Sequence, residues 1–251
     1  MLNVALLISG LGVILLGAEL FTNGIEWVGH KLNFAEGVIG SILAAVGTAL
    51  PETLIPFVAI LSGSGSSGQE IGIGAILGAP FMLSTLAMFV SGAAVLAFAH
   101  RRDGSSILQV NRIVLSRDLR FFLLAYAIAI GAAFVPWRPA KLLIAALLAL
   151  LYLVYVYLHM RDEAGEGQDI SPLHFHRAAE SPHIHVVNLQ VLAGLACILA
   201  GANFFVRGVE SLADASGVPP LVLALVLAPI ATELTEKFNS VLWIRKGKDT
   251  L

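Results

Sequence analysis

Two glutamates stand inside apolar stretches at matching positions of two similar segments. Glu52 ends Val46-Gly47-Thr48-Ala49-Leu50-Pro51-Glu52, and Glu236 ends Ile230-Ala231-Thr232-Glu233-Leu234-Thr235-Glu236. A carboxylate inside a bilayer costs several kcal/mol, so an acid retained there usually carries a functional role. Its oxygens are ligands for hard cations, and burial in apolar surroundings also favours the protonated form, so the same group can carry a proton. Thr48 precedes Glu52 by four residues and Thr232 precedes Glu236 by four, so on a helix each hydroxyl shares a face with its carboxylate. Glu233 adds a further acid in the second segment. Thr48, Glu52, Thr232, Glu233 and Glu236 are therefore the candidate cation ligands. A single membrane acid is often only a structural partner of a neighbouring helix; two at equivalent positions argue for a shared site.

The elements that must hold these residues repeat as well. With a constant offset and no gap, residues 13–52 match residues 197–236 at 13 of 40 positions, among them Gly17 with Gly201, Phe21 with Phe205, Gly24 with Gly208 and Glu26 with Glu210. An internal repeat that brings an acid into the membrane in each half is the sequence pattern of a secondary transporter with its site at the repeat interface.

Composition places the chain in the membrane. Apolar residues form 57% of it and charged residues 13%, about half the charged fraction of a soluble domain, and mean hydropathy is +0.86. Apolar runs at about 2–28, 36–61, 71–99, 119–135, 140–158, 188–209 and 218–244 each approach the roughly 20 residues that cross a bilayer. They predict an all-α polytopic membrane protein with seven spans. The first run is too long for a signal peptide and lacks a small-residue cleavage site, so it reads as a retained span. The single cysteine, Cys197, excludes a disulfide framework. No His-Glu-x-x-His, Gly-x-Ser-x-Gly or phosphate-binding loop occurs, which argues against an enzyme.

Lys and Arg fall on one side. With the N-terminus outside, the inner loops hold Lys31, Arg101, Arg102, Arg112, Arg117, Arg161, Arg177, Arg245, Lys246 and Lys248. The outer ones hold Arg138 and Lys141, with Arg207 near a span end. The positive-inside rule then gives an N-out orientation in a cell (inner) membrane. Arg-rich residues 101–120 fit this topology and anionic headgroups, not nucleic acid. Five spans separate the starts of the two repeats, and an odd number makes them inverted, the arrangement for alternating access. The expected organisation is a first five-helix repeat at 1–158, a His-rich cytoplasmic linker at 159–187, and the start of a second, inverted repeat at 188–251. The linker holds His159, His174, His176, His183 and His185; its two His-x-His pairs could bind zinc or copper if the loop folds back, against the plainer reading of a solvated linker.

Pro51 lies within the second run and Pro229 within the seventh, so both spans are expected to break there and to free carbonyl oxygens near the acids. Glu19, mid-span in the first run, has Asn203 as its counterpart, whereas Glu26 and Glu210 lie near span ends.

Gly47-Thr48-Ala49-Leu50-Pro51-Glu52 resembles the Gly-Thr-Ser-Leu-Pro-Glu motif of the sodium/calcium exchanger membrane region, the cation/calcium antiporter superfamily. Gly17-Ala18-Glu19-Leu20 is similar to that family's first-helix segment, and Gly72-Ile73-Gly74-Ala75-Ile76-Leu77-Gly78-Ala79-Pro80 occupies the place of its Gly-Asn-x-x-Gly-Ser-Asn segment. The resemblance implies ten helices in two inverted halves, with calcium and sodium competing for glutamates of the second and seventh helices. No cofactor is implied beyond the transported cations, and the partners are small cations and membrane lipid. By that count the chain stops three helices short. This sequence also departs from the pattern: Ala49, Ala75, Ala79 and Pro80 replace polar residues, Glu233 replaces Ser and Thr235 replaces Pro. Ser84 is then the nearest oxygen on the third helix. Three readings follow: a sodium/calcium-type antiporter, a proton-coupled monovalent cation antiporter on the same fold, and a non-transporting membrane scaffold or sensor.

Overall fold

In the computed structural model, residues 2–32, 44–101, 112–162, 170–178 and 181–245 are described. Their regular structure is all helical: α1 (Leu2–Lys31), α2 (Ala44–Ser62), α3 (Gly65–Met82), α4 (Met88–Ala97), α5 (Arg112–Ala133), α6 (Arg138–Asp162), α7 (Ile184–Ser216) and α8 (Pro220–Arg245). A π-helical turn, Leu83–Ala87, joins α3 to α4, so the two form one rod, and the seven apolar runs become seven long rods. Among the described residues, four stretches are long and apolar enough to cross a membrane: Val4–Lys31, Gly65–Ala97, Arg138–Leu158 and Ile184–Ser216. The apolar parts of α2 and α8, Ala49–Ser62 and Pro220–Ile230, are shorter. The linker is shorter than its composition indicated, because α6 continues to Asp162 and α7 starts at Ile184.

The repeat is visible as atomic contacts between α1 and α7. Gly10, Gly17 and Gly24 recur every seven residues on α1, as do Gly194, Gly201 and Gly208 on α7, so each set lines one face. A methyl group added at Gly10 would lie 2.7 Å from the backbone N of Phe205, and one at Gly194 would lie 2.7 Å from that of Phe21. A methyl at Gly17 would meet the carbonyl of Gly194 at 2.8 Å, and one at Gly201 the carbonyl of Gly10 at 2.8 Å. Gly24 packs on Val191, and Gly208 on Leu7. Under the repeat correspondence each contact becomes the other when the helices are exchanged. Only glycine permits so close a backbone approach, as in small-residue crossings of membrane helices. As the α1 number rises its α7 partner's falls, so the helices are antiparallel and related by a two-fold axis perpendicular to both. For membrane-spanning helices that axis lies in the membrane plane: the repeats are inverted. Ile14 and its counterpart Ile198, both 0% exposed, sit at its centre.

The remaining rods follow. A left-handed Gly65 (φ +54°) turns α2 back on α3 as an antiparallel hairpin, in which Gly72 packs on Ile60 and the Pro56 carbonyl. Gly74 meets Leu221 and Ala224 of α8, and Gly78 meets Leu225 and Pro229, so α3 runs parallel to α8. Hence α2 and α8 are antiparallel, as inverted equivalents must be. The main core joins Ile14 with Ile55, Val58 and Ala59 of α2, Ile71 and Ala75 of α3, Ala202, Phe205, Val206 and Val209 of α7, and Ala224 and Ala228 of α8. Glu210 of α7 ties the α2–α3 turn by accepting from the Ser64 backbone N–H at 2.6 Å. Helices α5 and α6 pair with each other, Tyr155 donating to Asp118 Oδ1 at 3.2 Å.

The prolines do not interrupt their helices. Helix α2 runs through Pro51 and Pro56, and α8 through Pro229. Pro51 and Pro229 are fully buried, so packing on neighbouring helices holds the chain helical across them. What each proline removes is one hydrogen-bond donor.

Candidate cation site

Helix α2 supplies Glu52 and α8 supplies Thr232 and Glu233. Thr232 is 7% exposed and Glu233 3%, and the Oε2 atoms of both Glu52 and Glu233 are sealed from solvent. Each acid stands one turn beyond the residues its helix gives to the main core: Glu52 before Ile55, and Thr232 and Glu233 after Ala228. Because α2 and α8 are antiparallel, both lie at the same end of that core. The backbones of Thr48 and Glu236 are helical, in α2 and α8, and their side chains lie outside the described residues.

Backbone chemistry adds to the set. A proline cannot donate to the carbonyl four residues earlier. Pro56 therefore withdraws the helical donor from the Glu52 carbonyl, Pro51 from Gly47, Pro229 from Leu225 and Pro80 from Ile76. Thr232 Oγ1 donates to the Ala228 carbonyl at 3.3 Å, which leaves its oxygen lone pairs to accept or to ligate. Helix α3 contributes little side-chain chemistry. Ala75 is core, and Ser84 is exposed, with its hydroxyl turned back on the Pro80 carbonyl at 2.8 Å. Thr85 does the same toward Phe81 at 2.6 Å. Both hydroxyls lie in the π turn, and such turns often mark functional sites.

Among the described residues no three His, Cys, Asp or Glu side chains converge as a metal centre would require. His174 Nε2 instead lies 3.5 Å from Glu19 Oε1, and Arg177 reaches its Nδ1 at 3.3 Å. Nor is the linker simply solvated. Leu173, 0% exposed, packs with Trp27 and Val187. Asn23 (6% exposed) and Gln190 (0%), polar residues of otherwise apolar helix faces, are buried beside it. The sequence signal was present in those two carboxamides, but nothing in it names the Ser171 carbonyl, 148 residues from Asn23, to which Asn23 donates.

Comparison with known proteins bears on the whole chain. The sequence model of the family described as sodium/calcium exchanger protein matches residues 2–161 and 187–251. The break at 162–186 coincides with the linker. An uncharacterized membrane protein of Methanocaldococcus jannaschii is 24% identical over 94% of this chain and 72% of its own length. A protein of Alkalimonas amylolytica named "Putative antiporter CaxA" is 23% identical over 96% of this chain and 71% of its own. The crystal structure of the H+/Ca2+ exchanger CAX superposes with a TM-score of 0.74 at 15% identity, over 99% of this chain and 61% of that one. The chain thus spans about three fifths of the solved exchanger, whose likeness shows the fold. With two matched segments covering most of its length and the inverted crossing of α1 on α7, this chain belongs to the sodium/calcium exchanger family.

Proposed function

We propose that the chain provides the central carboxylates of a secondary cation antiporter, with Glu52 and Glu236 as the principal pair and Thr48, Thr232 and Glu233 as supporting oxygens. The observation that carries this reading is the burial of carboxylate oxygens from Glu52 and Glu233 on repeat-related, antiparallel helices at one end of a common core. A cation binds these oxygens from one side, the inverted halves exchange conformations, and the site opens to the other. A counter-ion is required because empty, charged acids inside the membrane are costly. The distribution of Lys and Arg supports an orientation with the N-terminus outside and residues 159–187 in the cytoplasm.

The departures on α3 favour proton coupling. With Ala75, Ala79 and Pro80 in the family's polar positions, α3 adds few of the six to eight oxygens that calcium usually takes, and a carboxylate in apolar surroundings can carry a proton. Glu52→Gln in the full-length protein, reconstituted in vesicles, should abolish transport, and wild-type flux should depend on the pH gradient. Calcium uptake driven by sodium and unchanged when the pH gradient is collapsed would overturn the proton coupling. Transport that survives Glu52→Gln would overturn the site.

A further inference from the structure

Helices α5 and α6 are apolar over most of their length, yet none of their described side chains is buried. Between them runs a groove of about 530 Å³. Helix α5 contributes a stripe from Asp118 to Ala129, and α6 one from Leu148 to Tyr155, each at the three- and four-residue spacings that share a helix face. Aromatic rings line it. The rings of Phe121 and Tyr155 lie 5.4 Å apart across the two helices, and Phe122 stacks on Tyr126 at 5.4 Å along α5. The small side chains of Ala125 and Ala129 leave the space between these rings open. Phe122 and Tyr152 remain 46% and 57% exposed, so the groove opens sideways, toward what surrounds a membrane helix.

Its dimensions select the occupant. From Asp118 to Ala129 the groove runs eleven residues, about 16 Å at 1.5 Å per residue, which is about one leaflet of a hydrocarbon core roughly 30 Å thick. The volume over that length gives a mean cross-section of about 30 Å², enough for one hydrocarbon chain, whereas a helix about 10 Å across needs more than twice that. One end of the groove is polar and the other is not. Tyr155 donates to Asp118 Oδ1 at 3.2 Å, and Arg117 Nε lies 3.6 Å from the same oxygen. Against this single acid the same end of α5 carries three arginines, Arg112, Arg117 and Arg120, of which Arg112 and Arg120 are exposed. The far end, at Ala129 and Leu148, is apolar. Because α6 leads from Tyr155 into the linker, the basic end lies on the linker side of the membrane. A slot one leaflet deep with a cationic rim matches an anionic phospholipid in shape and charge. A second copy docked by the same face would instead bring arginines against arginines, because a two-fold interface pairs each patch with itself.

We propose that the α5–α6 groove binds one anionic phospholipid of the linker-side leaflet, with an acyl chain between the aromatic rings and the phosphate at Arg117 and Arg120. The test needs no transport activity. Full-length protein is placed in phosphatidylcholine nanodiscs containing a minor fraction of phosphatidylglycerol with a photoreactive acyl chain, irradiated, and its lipid adducts are mapped by mass spectrometry. Adducts should concentrate on residues 121–129 and 148–155, and unlabelled phosphatidylglycerol should compete for them better than phosphatidylcholine does. Arg120→Gln should lower the preference for the phosphatidylglycerol probe over its phosphatidylcholine counterpart by about fivefold, the worth of one basic residue near a headgroup. Ala125→Phe fills the slot and should remove the adducts. Ala129→Phe, one turn deeper, should do the same, so a folding defect in one variant does not decide the matter. Equal labelling by the two probes, unchanged in Arg120→Gln, would overturn the anionic headgroup. Adducts spread evenly over the exposed helices, or persisting in both phenylalanine variants, would overturn the groove. A benzoylphenylalanine at position 152 that captures a second copy of the chain and no lipid would make this face a protein contact and overturn the proposal.

Discussion

The two repeats share a backbone and differ in chemistry. Where α1 crosses α7, a methyl group added at equivalent glycines would meet equivalent atoms at equal distances, 2.7 Å for Gly10 and Gly194 and 2.8 Å for Gly17 and Gly201. One helix later the correspondence loosens: Ala49 faces the α8 sequence as Glu233, and Pro51 as Thr235, with the second repeat's proline moved to Pro229. The crossing must be symmetric because both halves pack on the same axis, where a methyl group on either side meets backbone. The second helices are under no such constraint, since each supplies its own ligands. Geometry is therefore conserved between the halves where packing dictates it, and chemistry diverges where a site can be completed in more than one way.

The largest expected effect breaks the crossing. Gly17→Leu and Gly201→Leu each drive a side chain into the partner's backbone, which cannot move aside as a rotamer can. Each should cost at least about 3 kcal/mol, the upper part of the range for overpacking, and by symmetry the two losses should be alike. Gly12→Leu, with no atom within 4 Å of an added methyl, should leave thermal stability in detergent nearly unchanged. Strongly unequal losses at Gly17 and Gly201 would show that the symmetry is geometric and not energetic.

The inverted repeat and the seven rods were legible in the sequence because hydropathy and a gapless repeat report on helix length and internal symmetry directly, whereas the packing of α1 on α7 was not. The proline breaks were not. The absence of one donor is local information, whereas the full burial of Pro51 and Pro229 that keeps α2 and α8 helical is tertiary. Of the candidate ligands, Thr232 and Glu233 are buried on α8, a placement set by tertiary packing that residue type and spacing do not encode. The linker was misread for a related reason. Its composition is that of a solvated segment, and its docking depends on Leu173, two backbone N–H groups and one carbonyl, which composition does not register.

A smaller effect sharpens the comparison of the second helices with the third. Pro80→Asn on α3 adds a carboxamide oxygen and restores a backbone donor toward the Ile76 carbonyl. If α3 is the element that weakens calcium binding, this change should raise apparent calcium affinity by about fivefold, which is roughly 1 kcal/mol, and reduce the pH dependence of flux. Isotope uptake against calcium concentration at two pH values measures both. A loss of affinity would mean that the Ile76 carbonyl, freed by proline, was itself a ligand.

The smallest effect separates a hydroxyl that belongs to the site from one that serves its own helix. Thr232 and Ser84 both donate to the carbonyl four residues back, at 3.3 and 2.8 Å, but Thr232 is 7% exposed on α8 beside Glu233, whereas Ser84 is exposed in the π turn. Thr232→Val removes a buried oxygen and should cost about 1 kcal/mol, with a matching loss of cation affinity. Ser84→Ala removes a bond that water can replace and should change stability by less than about 0.5 kcal/mol, with flux unaltered. Because α3 has lost the family's polar positions, Ser84 is the hydroxyl that would have to stand in for them. A fall in cation affinity on Ser84→Ala, without loss of stability, would mean that the π turn swings this oxygen into the site during transport, and α3 would then be a ligand helix after all.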